Sequence, residues 1–236
     1  MSSQFYLDKL YPLQDEVLAV IATLDTKFYL TGGTAVSRYY FHHRFSDELD
    51  FFLNNDNDFE AEAEKILIGL TNVYREDVRI NLKQERFVRL FVTQDETILK
   101  IKMINDVGYR YGTSNIVNGV KIDNTQNVLS NKLSALQRDA PKDVSDILSI
   151  TFNNSFSWID TFEQAKNKDT WVNEIDVATR LDDYDVENLR AVKWIKEPDY
   201  PFLKICLQTI AKDILLGTDN SLHSLGYEKR AFDANL

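Results

Sequence analysis

Two carboxylates set two residues apart, in Glu48-Leu49-Asp50-Phe51-Phe52-Leu53, are the residues of this chain whose spacing most directly suggests chemistry. The run reads as a β-strand. Residues i and i+2 of a strand point to the same side, so Glu48 and Asp50 can converge on one cation while Leu49, Phe51 and Leu53 pack behind them. Upstream, Phe28 to Leu30 reads as another strand, and Thr31-Gly32-Gly33-Thr34 as a turn leading into a helix. Glycines let backbone N–H groups approach an anion closely, and the start of a helix offers it partial positive charge. A phosphate cradle beside paired carboxylates is the combination that nucleotidyl transfer uses.

The elements that must position these groups follow from hydrophobic periodicity. Leu10, Leu13, Val17, Val20, Ile21 and Leu24 predict a helix over 5–24. After the strand–turn–helix–strand unit, Asn54 to Asp58 is a polar loop and Phe59 to Leu70 a second helix. From Val73 to Asp123 the pattern changes to strands: Phe87 to Val92 and Thr97 to Ile104 are rich in β-branched and aromatic residues, and Asn118-Gly119 marks a hairpin. Beyond Asn124 helical patterns run to about Leu216, and the last twenty residues read as loosely ordered. The chain thus divides near Asp123 into an α/β core, 1–123, and a helical part, 124–236.

Two helices of the second half carry a charge on a face that should pack inward. In 127–138 the stripe runs through Leu129, Leu133 and Leu136, and at about 100° per residue Lys132 falls between Val128 and Leu136. In 142–151 Asp143 falls between Ile147 and Ile150. Charges so placed need a partner or a polar cleft. A buried structural ion pair and a cleft shared with the carboxylate strand are both open readings.

The composition narrows the function classes. A chain of 236 residues with 44% apolar and 27% charged residues is an ordinary globular sequence. Its net charge of −10 argues against non-specific coating of nucleic acid, although a local basic pocket stays compatible with it. The single cysteine, Cys206, excludes an internal disulfide and fits a reducing compartment. With no signal pattern at the N-terminus and no apolar run of membrane-spanning length, a cytoplasmic protein with no membrane role is expected. Three histidines and one cysteine are too few for a zinc site, so His42-His43 reads as a cationic helix end. There is no P-loop and no dinucleotide fingerprint. Trp158, Trp171 and Trp194 lie in helical patterns and read as core.

Three ordered segments resemble a known family. Gly32 to Ala35, His43 to Ser46 and Glu48 to Phe52 look like the first signature of the abortive-infection nucleotidyltransferase toxins of the AbiEii/AbiGii type, within the DNA polymerase β-like superfamily. The likeness continues through 99–107, then 131–138, then 142–146. The resemblance implies a mixed, mostly antiparallel sheet flanked by helices, with the helical half packing on it and completing the cleft. It implies Mg²⁺ or Mn²⁺ on Glu48 and Asp50, and a nucleoside triphosphate held by Gly32, Gly33 and Thr34. Arg44 with Ser46 would brace the turn or contact phosphate, Lys132 would approach the phosphates, and Asp143 would be the last acidic residue. The implied acceptor is RNA, typically transfer RNA, and the implied protein partner a cognate antitoxin. Two positions depart from the family: Glu48 replaces an aspartate, and Lys102 stands where relatives carry a third one. Lys102 is therefore expected to contact Glu48 or Asp50 and to oppose the metal, unless another carboxylate such as Asp106 replaces the missing one. The alternatives are an impaired member that binds a nucleotide or a protein, and a transferase acting on a small molecule.

Overall fold

The computed structural model describes residues 2–223 and Ala231. Most of the last twenty residues, expected to be loosely ordered, lie outside the described residues. The fold is α+β, with a seven-stranded, mostly antiparallel sheet and a helical C-terminal part. Two compact units share the chain: Met1–Ala35 with Ser46–Asn124, and Val36–Phe45 with Thr125–Leu236. Residues 36–45, which the linear division at Asp123 assigns to the α/β core, group with the helical residues instead. The reason is local. Phe45 N–H donates to the Lys193 carbonyl and Ile195 N–H to that of His43, and both pairs lie within the second unit.

In the α/β unit, helix α1 (residues 3–22) contains a π-helical stretch, Tyr6–Leu10, before its regular part, Tyr11–Ala22. Strand β1 (Tyr29–Thr31) leads at once into α2 (residues 32–41), π-helical from Ala35 on, which carries the chain into the second unit. Then come β2 (Glu48–Asn54), α3 (Phe59–Tyr74), β3 (Val78–Gln84), β4 (Phe87–Gln94), β5 (Thr97–Asp106), β6 (Asn115–Val117) and β7 (Val120–Ile122). The β6–β7 turn has Asn118 and Gly119 at positive φ, the geometry that an Asn-Gly pair supplies at least cost.

Sheet order is β3-β4-β5-β2-β1-β7-β6. The β2–β5 and β1–β7 pairs are parallel, the others antiparallel. Alternation separates the two sheet faces. Leu49, Phe51, Leu53, Val88, Leu90, Val92, Leu99, Ile101 and Met103 are buried on one face, and α1 and α3 contact the strands and each other. On the other face Asp50, Lys100, Lys102, Arg89 and Phe91 keep partial exposure.

The helical unit is built on α4 (Thr125–Ala135), α5 (Pro141–Asn153), α6 (Trp158–Lys168), α7 (Glu174–Asp183) and α8 (Tyr200–Leu216). Its core gathers Leu129, Leu133, Val144, Ile147, Trp158, Phe162, Leu203, Cys206 and Leu207. Trp158 and Trp194 are core residues as expected, whereas Trp171 is 80% exposed. It lies in the connection between α6 and α7, where no core-facing stripe constrains it. No helix among the described residues is long and apolar enough to cross a membrane.

Candidate active site

Strand β2 presents Glu48 and Asp50 on one sheet face, with Leu49, Phe51 and Leu53 in the core behind them. Gly32 lies against Asp50: a Cβ built on Gly32 would sit 3.3 Å from Asp50 Oδ2. Gly32 also has φ +67°, a left-handed conformation that side chains resist. Two independent constraints therefore require glycine here, and together they bring the turn to the carboxylate.

Thr34 fastens this arrangement. Its hydroxyl donates to the Glu48 carbonyl and lies 2.7 Å from the Ser46 hydroxyl. Gln14 Nε2 donates to the Ser46 carbonyl, and Ser46 N–H donates to the Tyr11 hydroxyl. Thr34 and Ser46 are both buried. Their geometry is that of braces holding the turn to the start of β2.

Parallel pairing with β5 sets Lys100 beside Glu48 and Lys102 beside Asp50. Lys102 Nζ lies 2.9 Å from Glu48 Oε1 and 3.2 Å from Asp50 Oδ1. Lys100 Nζ lies 2.5 Å from Glu48 Oε2. Burial alone would lower the Lys102 pKa, but the charges of Asp50 and Glu48 and their hydrogen bonds outweigh it and raise it. The second lysine was not anticipated. It is visible in the alternation Lys100-Ile101-Lys102, but only the β2–β5 register pairs it with Glu48.

Two ammonium groups against two carboxylates leave no net negative charge for a divalent cation. No cluster of three or more His, Cys, Asp or Glu side chains able to hold a metal exists among the described residues. In this arrangement the donor set does not fit Mg²⁺ or Mn²⁺. Asp106 does not supply the missing carboxylate either. It pairs with Asn54 at the far end of β5, roughly 13 Å along the strand from Lys102.

Lys132 and Asp143 meet in the helical unit, where Lys132 Nζ lies 2.5 Å from Asp143 Oδ1. Both are buried. The centre of this cluster is Asp146, which the sequence patterns did not single out as a site residue. Its carboxylate accepts from Arg44 Nε at 2.7 Å and Nη2 at 2.8 Å, lies 2.6 Å from Lys132 Nζ, and meets His43 Nε2 at 2.9 Å. Asp143 and Asp146 are three residues apart on one helix face, a signal the sequence does hold. Burial pushes the Asp146 carboxyl up, but Arg44, Lys132 and the His43 hydrogen bond hold it well below the usual carboxylate range. Burial likewise works against the Lys132 ammonium, and Asp146 and Asp143 more than restore it.

His43 behaves otherwise than a cationic helix end. Burial first, helped by Arg44 and Lys132, lowers its pKa against the pull of Asp146, so the ring is neutral near pH 7. A carboxylate can only accept, which assigns the proton to Nε2. Arg44 also donates to the Phe45 carbonyl at 3.0 Å, so bracing is the role its geometry supports.

Comparison with known proteins agrees with this architecture. Two crystal structures from Helicobacter pylori share the fold. JHP933 has a TM-score of 0.59, with 97% of this chain and 96% of that one covered at 18% identity. A presumed nucleotidyltransferase has a TM-score of 0.62, covering 97% and 98% at 18% identity. At that identity the likeness speaks for the fold alone. No curated protein matches the chain. The family described as nucleotidyl transferase AbiEii toxin, type IV toxin–antitoxin system, matches residues 16–150, which span the glycine turn, both carboxylates, Lys132 and Asp146. The chain belongs to the AbiEii nucleotidyltransferase toxin family.

Proposed function

We propose that the chain transfers a nucleotide from a nucleoside triphosphate to an RNA acceptor, as the toxin of a two-component module whose other member is a protein antitoxin. Family membership supports nucleotidyl transfer in general. The observation that carries the reading is the juxtaposition of Glu48 and Asp50 with the Gly32 turn, at 3.3 Å from the position of a Gly32 Cβ. On this reading Gly32 and Gly33 turn backbone N–H groups toward the phosphates, and Thr34 and Ser46 keep the turn on β2. Lys132 meets the phosphates and Asp143 sets its position, with Arg44 and Asp146 as the frame behind them. The protein works in the cytoplasm.

A second reading is favoured by Lys100 and Lys102. The family implies Mg²⁺ or Mn²⁺, yet this chain's own cations stand at 2.5–3.2 Å from the carboxylates that would take it. A member so altered binds nucleotide while transferring it slowly or not at all. Incubation with each labelled triphosphate, Mg²⁺ or Mn²⁺ and bulk RNA separates the two. Label on RNA from the wild-type protein establishes the transferase. Retained triphosphate binding without label establishes the impaired member, and neither label nor binding removes both.

A further inference from the structure

The face that carries Glu48 and Asp50 continues across β5, β4 and β3, and strand register reads its side chains in rows. Arg79, Phe91, Lys100 and Glu48 form one row. Leu82, Arg89, Lys102, Asp50 and Thr31 form the next, and Gln84, Phe87, Ile104, Phe52 and Tyr29 the third. A bulge between Ile80 and Leu82 keeps Arg79 and Leu82 on the same face although they are three residues apart. Arg89 is held toward β3 by its Nε bond to Asn81 Oδ1 at 2.7 Å.

Two properties set this face apart. Four cations, Arg79, Arg89, Lys100 and Lys102, share the first two rows with two carboxylates, a local positive excess in a chain of net charge −10. Phe91 stands among them partly exposed, Phe87 lies partly exposed in the next row, and Arg79 is exposed, while Val88, Leu90 and Val92 on the reverse side of the same strand are at most 3% exposed. Cations in alternation with aromatic rings on a sheet are the chemistry that holds single-stranded nucleic acid: rings stack on bases and cations meet phosphates.

We infer that this sheet face is the track of a single-stranded RNA, running from Asp50 across Lys102 and Arg89 to Arg79, with Phe91 stacking on a base. The inference rests on the transferase reading for the identity of the strand as acceptor, but binding can be tested without transfer. Neighbouring strands are about 4.8 Å apart, so β2 to β3 spans about 14 Å. A polynucleotide is favoured over an acidic protein because the partly exposed rings offer stacking, which a charge patch does not need.

The test is fluorescence anisotropy of a short labelled oligouridylate with the full-length protein. Phe91→Leu keeps the apolar volume and removes the π-face, and is expected to weaken binding about tenfold, within the range for loss of one base stack. Arg79→Ala and Arg89→Ala should each weaken binding and reduce the salt slope by about 0.7, the change expected when one phosphate is no longer neutralised. Lys83→Ala, on the opposite face beside Glu60 and Glu64, should change nothing. Equal binding by Phe91→Leu and wild type, or equal competition by polyglutamate, reduces the face to a charge patch and overturns the proposal. RNA binding with the expected losses but no labelled RNA would sink the transferase reading alone. Undiminished labelling of RNA by Phe91→Leu and Arg79→Ala would sink the track alone.

Discussion

The sheet cluster and the helical cluster contain the same charges in the same number, two cations and two carboxylates, yet they differ in what surrounds them. Glu48, Asp50, Lys100 and Lys102 sit on a partly open sheet face, with the Lys100 side chain 39% exposed. Arg44, Lys132, Asp143 and Asp146 are closed in among helices, and the Asp146 side chain is 0% exposed. Water screens the first set and leaves its ammonium groups exchangeable for a ligand. In the second, every charge depends on its partners, because a buried charge left alone costs several kcal/mol. Stoichiometry therefore does not distinguish the two clusters; solvent access does.

Substitutions at the two clusters should expose that contrast. The largest effect is expected for Asp146→Asn, which leaves Arg44 and Lys132 with one carboxylate between them. Urea unfolding should show a loss of about 3–5 kcal/mol. A loss of about 1 kcal/mol or less, the range of a screened pair, would make the helical cluster as replaceable as the sheet one.

Gly32→Ala comes next. Placing a side chain at φ +67° costs about 1–2 kcal/mol. The same Cβ meets Asp50 Oδ2 at 3.3 Å, so triphosphate binding should fall together with stability. Stability lost with binding intact would detach the turn from the carboxylate site.

Acid should separate the clusters further. The folded-state pKa of His43 is lowered from 6.5, so below that pH the unfolded chain binds a proton that the folded chain refuses. Stability contributed by the neutral ring is present above about pH 6.5 and lost as pH falls, with a slope of at most about 1.4 kcal/mol per pH unit. Asp146, lowered from 3.8, keeps its contribution through this window and loses it only in stronger acid. Melting temperatures from pH 7 to 5 should decline in the wild type and decline less in His43→Gln. Equal slopes would show that the His43–Asp146 contact carries no linkage.

The smallest stability change belongs to the sheet cluster. Lys100→Ala should alter the unfolding free energy by about 1 kcal/mol or less, since its side chain is 39% exposed and the pair it breaks is partly screened. Lys102→Asp instead sets a third carboxylate beside Glu48 and Asp50 for a cation to take. Calorimetric titration with Mg²⁺, with and without triphosphate, should detect binding in the Lys102→Asp variant that the wild type lacks. Metal binding of equal strength in both proteins would mean that the lysines yield readily and do not restrain the site.

Much of this was legible in one dimension because it depends on local geometry. Period-2 alternation put Glu48 and Asp50 on one face, Asn118-Gly119 marked its hairpin, and about 100° per residue placed Lys132 and Asp143 inward. Those patterns hold wherever the segment packs. What the residue string left open was partnership across distance. Lys100 meets Glu48 only because β5 pairs parallel to β2 in one register, and a slip of one residue would turn both lysines to the other face. Asp146 became a hub only when 36–45 joined the helical unit and brought Arg44 and His43 to it. Sequence determined which side each charge faces. Tertiary structure decided which opposite charge it finds there and how much water lies between, and so how firmly each pair is held.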